Sequence, residues 1–166
     1  MISKNKIIRN LTKLNRLYLN STNGLNNEFY SKLAILELCG WIEESMDSII
    51  LCSAKRKLHK NSNNQFVREI VKINYGFEYE KNFCKVLKQV IGVIGVEKLE
   101  STVDPVVFTQ FKSALSSLKS IRDNQAHTHT IGTARSLNAP SWTLHQMVPV
   151  YNGLKNINNS LRKIGF

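Results

Sequence analysis

The chain has 166 residues, 42% of them hydrophobic, and a formal net charge of +11. That length suits one domain with a core of its own, and the apolar content excludes wholesale disorder. The excess of cations points to a polyanion as partner (nucleic acid, an acidic membrane surface or an acidic protein), although a solvated basic surface has the same composition.

The three cysteines, Cys39, Cys52 and Cys84, form no C-x-x-C pair. An odd count without framework spacing suits a reducing compartment. Cys39 and Cys52 fall in apolar helical stretches and are expected in the core. Met1 to Lys6 lacks the apolar run of a signal peptide, and the apolar stretch around Val90–Val96 is too short to span a bilayer. The expectation is a soluble, cytoplasmic protein with no membrane segment.

Helical spacing recurs along the chain and strand-like alternation is nearly absent. Ile7, Leu11, Leu14 and Tyr18 mark a first helix whose other faces carry Lys4, Lys6, Arg9, Lys13 and Arg16, and Gly24 ends it. A long second helix is expected from about Asn27 to Leu58. Ile35, Leu38, Ile42, Met46, Ile49 and Ser53 make its buried stripe, and Glu37, Glu43, Glu44 and Asp47 lie mainly outside it. Its basic tail holds Lys55, Arg56, Lys57 and Lys60, which either complement the helix C-terminus or contact phosphates. Asn61–Asn64 reads as a polar break, Phe66–Ile73 as a short helix, and Phe83–Gly95 as another. Asp104-Pro105 should open a fifth helix, Asp as cap and Pro in the first turn, running to about Thr128 on Val107, Phe111, Ala114, Leu118 and Ile121. Gly132 to Pro140 is a loop. A last helix follows on Val150, Leu154, Ile157, Leu161 and Ile164, its first turns kinked or unwound by Pro149. The predicted fold is all-α, a single helical bundle of five to six helices in one domain over residues 1–166.

The stretch that carries chemistry is Arg122-Asp123-Asn124-Gln125-Ala126-His127 at the end of the fifth helix. At about 100° per residue, His127 aligns with Ser116 and Ser120, and Asp123 sits one turn before it. RNA cleavage needs a group that takes the proton of the ribose 2′-hydroxyl and a group that protonates the departing 5′-oxygen. A histidine can do either. A guanidinium can bind two phosphoryl oxygens through its planar fork, and Asp123 can orient the imidazole. Arg and His at this spacing also occur as a surface ion pair and a helix C-terminal cation.

Arg122-Asp123-Asn124-Gln125-Ala126-His127 resembles the R-polar-x3-H motif of HEPN domains. Ala139-Pro140-Ser141-Trp142 ahead of the final helix and Glu37-Leu38-Cys39-Gly40-Trp41-Ile42-Glu43 in the second are similar to stand-alone bacterial members. The resemblance covers most of the chain from Phe29 on. It implies an HEPN-like helical bundle that dimerises to bring two motifs together. It also implies a metal-independent endoribonuclease, the toxin of a toxin–antitoxin or phage-defence system, with Arg122 and His127 catalytic and Asp123 in support. The glycine that follows the histidine in much of the family is Thr128 here.

His129 would give the wider R-x6-H spacing. His127-x-His129 lacks further ligands nearby in sequence, so no metal site and no cofactor are expected. His59 and His145 lack partners. Trp41, Trp142 and Tyr151 sit among apolar residues and suit the core. No phosphate-binding glycine loop or serine nucleophile elbow occurs. The expected partners are RNA, bound by Lys55, Arg56, Lys57 and Lys60, a second copy of the chain that completes a composite active site, and a cognate antitoxin protein. Ser113, Ser116, Ser117 and Ser120 would line the twofold contact. The alternatives are a non-catalytic HEPN-type RNA-binding or regulatory module and a helical protein-interaction domain.

Overall fold

The computed structural model describes residues 2–126 and 137–166. Among them the chain forms six helices and no strand: α1 (Asn5–Asn20), α2 (Gly24–Lys57), α3 (Asn61–Lys72), α4 (Lys85–Thr102), α5 (Pro105–Ala126) and α6 (Pro140–Lys163). A π-helical turn, Tyr79–Cys84, leads into α4. No helix among the described residues is long and apolar enough to cross a membrane.

The axis of the bundle is α2. Its 34 residues extend about 50 Å at 1.5 Å per residue. Asn23 caps it, its side-chain oxygen accepting the Leu25 amide at 2.9 Å. Ala34, Ile35, Leu38, Ile42, Met46, Ile49, Ile50 and Ala54 are buried along it, and α1, α5 and α6 pack against them. Ile7, Leu11 and Leu14 are the buried stripe of α1. The Trp41 indole N–H donates to the Ser3 carbonyl at 3.1 Å and the Asn10 amide to Glu37 at 3.0 Å, fastening α1 to α2.

Asp104 caps α5 as expected, one carboxylate oxygen accepting from the amides of Val106 (2.9 Å) and Val107 (3.0 Å). Phe111, Ala114 and Leu118 point inward. α5 lies very close to α6 at Gly153, where an added Cβ would fall 2.3 Å from Phe111 Cγ.

Five expectations need correcting. Gly24 does not end α1, which stops at Asn20; it opens α2 behind the Asn23 cap. Asn61–Asn64 is the first turn of α3 and no break, because the Asn64 side-chain amide donates to the carbonyls of Leu58 (3.1 Å) and Lys60 (3.3 Å) and secures the turn. The fourth helix continues beyond Gly95 to Thr102, with its irregularity at Gly92, where φ is +74°. α6 passes through Pro149 without unwinding, held on both sides by the buried Met147 and Val150. Cys52 is exposed and outside the core, whereas Cys39 and Cys84 are buried.

Candidate functional site

Arg122 leaves α5 at the edge of its buried stripe, with 29% of its side chain exposed. Its guanidinium lies 5.3 Å above the ring of the fully buried Phe77. Nε donates to Asp123 Oδ1 at 3.0 Å, Nη2 lies 2.9 Å from the same oxygen, and Nη1 reaches Glu43 Oε1 on α2 at 3.4 Å. The other Asp123 oxygen accepts from Lys119, which also faces Glu78 at 3.8 Å. Glu43, Arg122, Asp123, Lys119 and Glu78 thus form one chain of alternating charge joining α2, α5 and the 73–78 loop.

That loop is built to hold Phe77 and Glu78 in place. Gly76 turns it at φ +104°, where a Cβ would also meet Asn82 at 3.0 Å. The Asn82 side chain donates to the Tyr75 carbonyl at 2.7 Å and accepts from the Glu78 amide at 3.0 Å.

On α2, Cys39, Glu43 and Asp47 recur every four residues and so face the same side. Burial raises the Glu43 carboxyl and the Arg122 guanidinium draws it back down. Burial, then the Glu43 and Glu44 carboxylates, push Asp47 up to about 6. Burial pushes the Cys39 thiol up to about 12, so it remains a thiol at neutral pH. Asp123, at the solvent edge, is held below the usual carboxylate range by its hydrogen bonds from Lys119 and Arg122.

A guanidinium has five N–H groups. Three engage carboxylates here, which leaves two for a phosphoryl group while the fork stays fixed. Asp123 has both oxygens engaged by cations, and Oδ2, which faces Lys119 alone, has a further lone pair that can accept from an imidazole.

The structure brings Arg122 and Asp123 together as the sequence suggested. His127 and His129 lie outside the described residues. Lys55, Arg56 and Lys57 are exposed on the last turn of α2, and the exposed Lys60 precedes α3. Ser113, Ser116, Ser117 and Ser120 are all exposed. Sequence reasoning missed Glu43, Asp47, Lys119, Glu78 and Phe77. The four-residue spacings Glu43/Asp47 and Lys119/Asp123 were the available signals, whereas Phe77 and Glu78 reach the site only through the fold.

One further cluster widens the expectation of no metal ligands. Among the described residues, Glu80, Cys84 and Glu100 place their ligand atoms within 4.8 Å of one another. Tyr79 donates to Glu100 at 3.0 Å, Lys112 lies 3.7 Å from Glu80, and Lys88 bonds to Cys84, so protein groups already balance this cluster.

Comparison of the chain with protein-family models, with curated proteins and with solved structures finds no match.

Proposed function

We propose that this chain is an HEPN-type endoribonuclease that cleaves RNA by 2′-hydroxyl attack without a metal ion. Its setting is the cytoplasm, and its role is that of the toxin in a toxin–antitoxin or phage-defence system. One observation carries the reading. Arg122, five residues before His127, is half-buried over Phe77 with its fork fixed by Asp123 and Glu43. A fixed cation of this kind stabilises charge that develops on phosphoryl oxygens and needs little reorganisation during the reaction.

In this mechanism a base removes the 2′-hydroxyl proton and the 2′-oxygen bonds to phosphorus. The bond from phosphorus to the 5′-oxygen breaks, and that oxygen takes a proton from an acid. The products are a 2′,3′-cyclic phosphate and a 5′-hydroxyl. His127 supplies one of the two proton transfers and His127 of a second copy the other. The exposed serine face of α5, with its short side chains, suits close approach of that copy. The antitoxin would be a further protein that masks this site.

A second reading has its own support. The same carboxylates make Arg122 a tie between α2 and α5, as expected of a non-catalytic RNA-binding module. The two readings separate on one assay, in which cellular RNA is incubated with pure protein in EDTA and the new ends are analysed. Cleavage to cyclic phosphates is expected, with His127→Ala slower by about 10²–10⁴. Arg122→Lys should also be impaired, since an ammonium lacks the planar fork. Near-wild-type rates in both variants, or activity that returns only with added metal, would overturn the catalytic reading.

A further inference from the structure

Two cavities lie side by side over the C-terminal third of α2. One, of about 340 Å³, is walled by α2 and α6 and lined by Ser48, Lys55, Arg56, Asn158 and Arg162 among others. The second, of about 240 Å³, lies between α2 and α3, with Asn61, Asn64 and Arg68 in its lining. Cys52 and Lys55 line both, so the two adjoin across α2 and are taken together as a groove from α6 to α3. Among the described residues its lining holds four cations and no carboxylate, and no aromatic ring. Lys55, Arg68 and Arg162 have no carboxylate partner among the described residues. Arg56 is fixed by donating Nη1 to the Phe166 backbone oxygen at 2.6 Å.

The groove is not part of the Arg122 constellation. Cys52, at its middle, follows Glu43 by nine residues, which at 100° each is about 180° around α2. The groove and the charge chain share no residue, and Cys52 lies about 13 Å further along α2 than Glu43 at 1.5 Å per residue.

We propose that this groove binds a single strand of RNA through its phosphates, away from the Arg122 constellation. The inference rests on reading RNA as the substrate. Lys55, Arg56 and Arg162 line one cavity, and Lys55 with Arg68 the other, so positive charge continues through both, as a run of successive phosphates requires. Ser48, Asn61, Asn64 and Asn158, interleaved with them, can hydrogen-bond to phosphate and ribose oxygens. With no aromatic platform the bases are not stacked, so binding reads the backbone and little of the sequence. Of the cations expected to bind RNA, Lys55 and Arg56 fall in the groove. Lys57 and Lys60 are outside its lining, and Arg68 and Arg162 are added to it.

Cys52 provides a probe that does not depend on cleavage. It is exposed, while Cys39 and Cys84 are buried, so the native protein should present one fast-reacting thiol to an alkylating reagent. The ligand is a 2′-O-methyl oligouridine of about ten nucleotides, within the range a single-strand site covers and lacking the attacking hydroxyl. It should slow Cys52 alkylation at least tenfold, and high salt should abolish the protection. Lys55→Glu with Arg162→Glu, and Arg68→Glu alone, should weaken binding measured by fluorescence anisotropy. For every phosphate that a variant no longer neutralises, the logarithmic salt slope should flatten by about 0.7. Circular dichroism confirms that the variants fold, their side chains being exposed. Unprotected Cys52 together with unchanged affinity overturns the groove and leaves cleavage untouched. Protection without any cleavage of ordinary RNA overturns the nuclease reading and leaves the groove standing. Equal protection by uridine monophosphate, or by polyglutamate of equal charge, overturns the proposal in favour of a small anion or an acidic protein.

Discussion

Asp47 is a carboxyl placed where ionisation is costly. Burial and the charges of Glu43 and Glu44 push it from the ordinary 3.8 up to about 6, and the folded chain therefore holds its proton more tightly than the unfolded chain does. Between those two values the native state binds more protons, so stability falls as pH rises from about 4 to about 6 and then levels off. Glu43, also raised, adds in the same direction. Asp123 is lowered and acts in the opposite sense, but it lies at the solvent edge where screening weakens it. Asp47→Asn removes the larger titration. The variant should gain on the order of 1–2 kcal/mol above pH 6 and lose most of the slope between pH 4 and 6. Thermal midpoints measured across that range check it, and an unchanged slope would show that Asp47 titrates as an ordinary surface group. Of this site, Arg122 and Asp123 were legible in the sequence because they belong to one short motif. Asp47 was not. A helical wheel places it outside the apolar stripe but does not reveal that the fold half-buries it.

At the scale of elements, apolar periodicity was sufficient for α2, α5 and α6. Their stripes at Ile35–Ser53, Phe111–Leu118 and Val150–Leu161 are buried as expected. It failed where local polarity misled. The asparagines that open α3 are satisfied by backbone carbonyls, and Gly95 does not end α4 because its helix continues over the buried Val96 and Leu99. The π-helical turn was also invisible. It depends on the Phe83 amide reaching back to Glu78 at 3.2 Å, a choice made by the packing of Tyr79 and Phe83. The close approach of α5 to α6 gives a direct test. Gly153→Ala would drive a methyl into Phe111, which is fully buried and cannot move aside, so the helices must separate. A loss of about 1–3 kcal/mol is expected from denaturant midpoints. Gly40→Ala is the matched control. It is exposed on α2 with no atom within 4 Å of the added Cβ, and should stabilise by up to about 1 kcal/mol through helix propensity. Equal effects at the two positions would mean that the α5–α6 approach is not tight.

On the scale of the whole molecule, the proposed chemistry needs more than one chain contains. One copy supplies a single histidine in the motif, whereas cleavage needs both a proton acceptor and a proton donor. Arg122 lies near the end of the described part of α5, and the exposed Ser113, Ser116, Ser117 and Ser120 lie about 120–180° around that helix from it at 100° per residue. A twofold axis beside the motif would set two Arg122 and two His127 around one phosphate. A dimer is what the proposed chemistry asks for. The sequence contributed the motif and the small side chains, while the exposed apolar residues Leu25, Phe29, Leu33 and Leu36 lie on α2 and not on the serine face of α5. The decisive experiment mixes wild-type chains with His127→Ala chains that carry a separable tag, and isolates the mixed dimer. A site shared by two copies predicts that the mixed dimer retains far less than half of wild-type activity, because every site has lost one of its proton-transfer groups. Retention of half is what two independent sites would give, and it would refute the shared site. Full activity in a protein that sediments as a monomer would refute it as well, since one chain would then hold both the acid and the base.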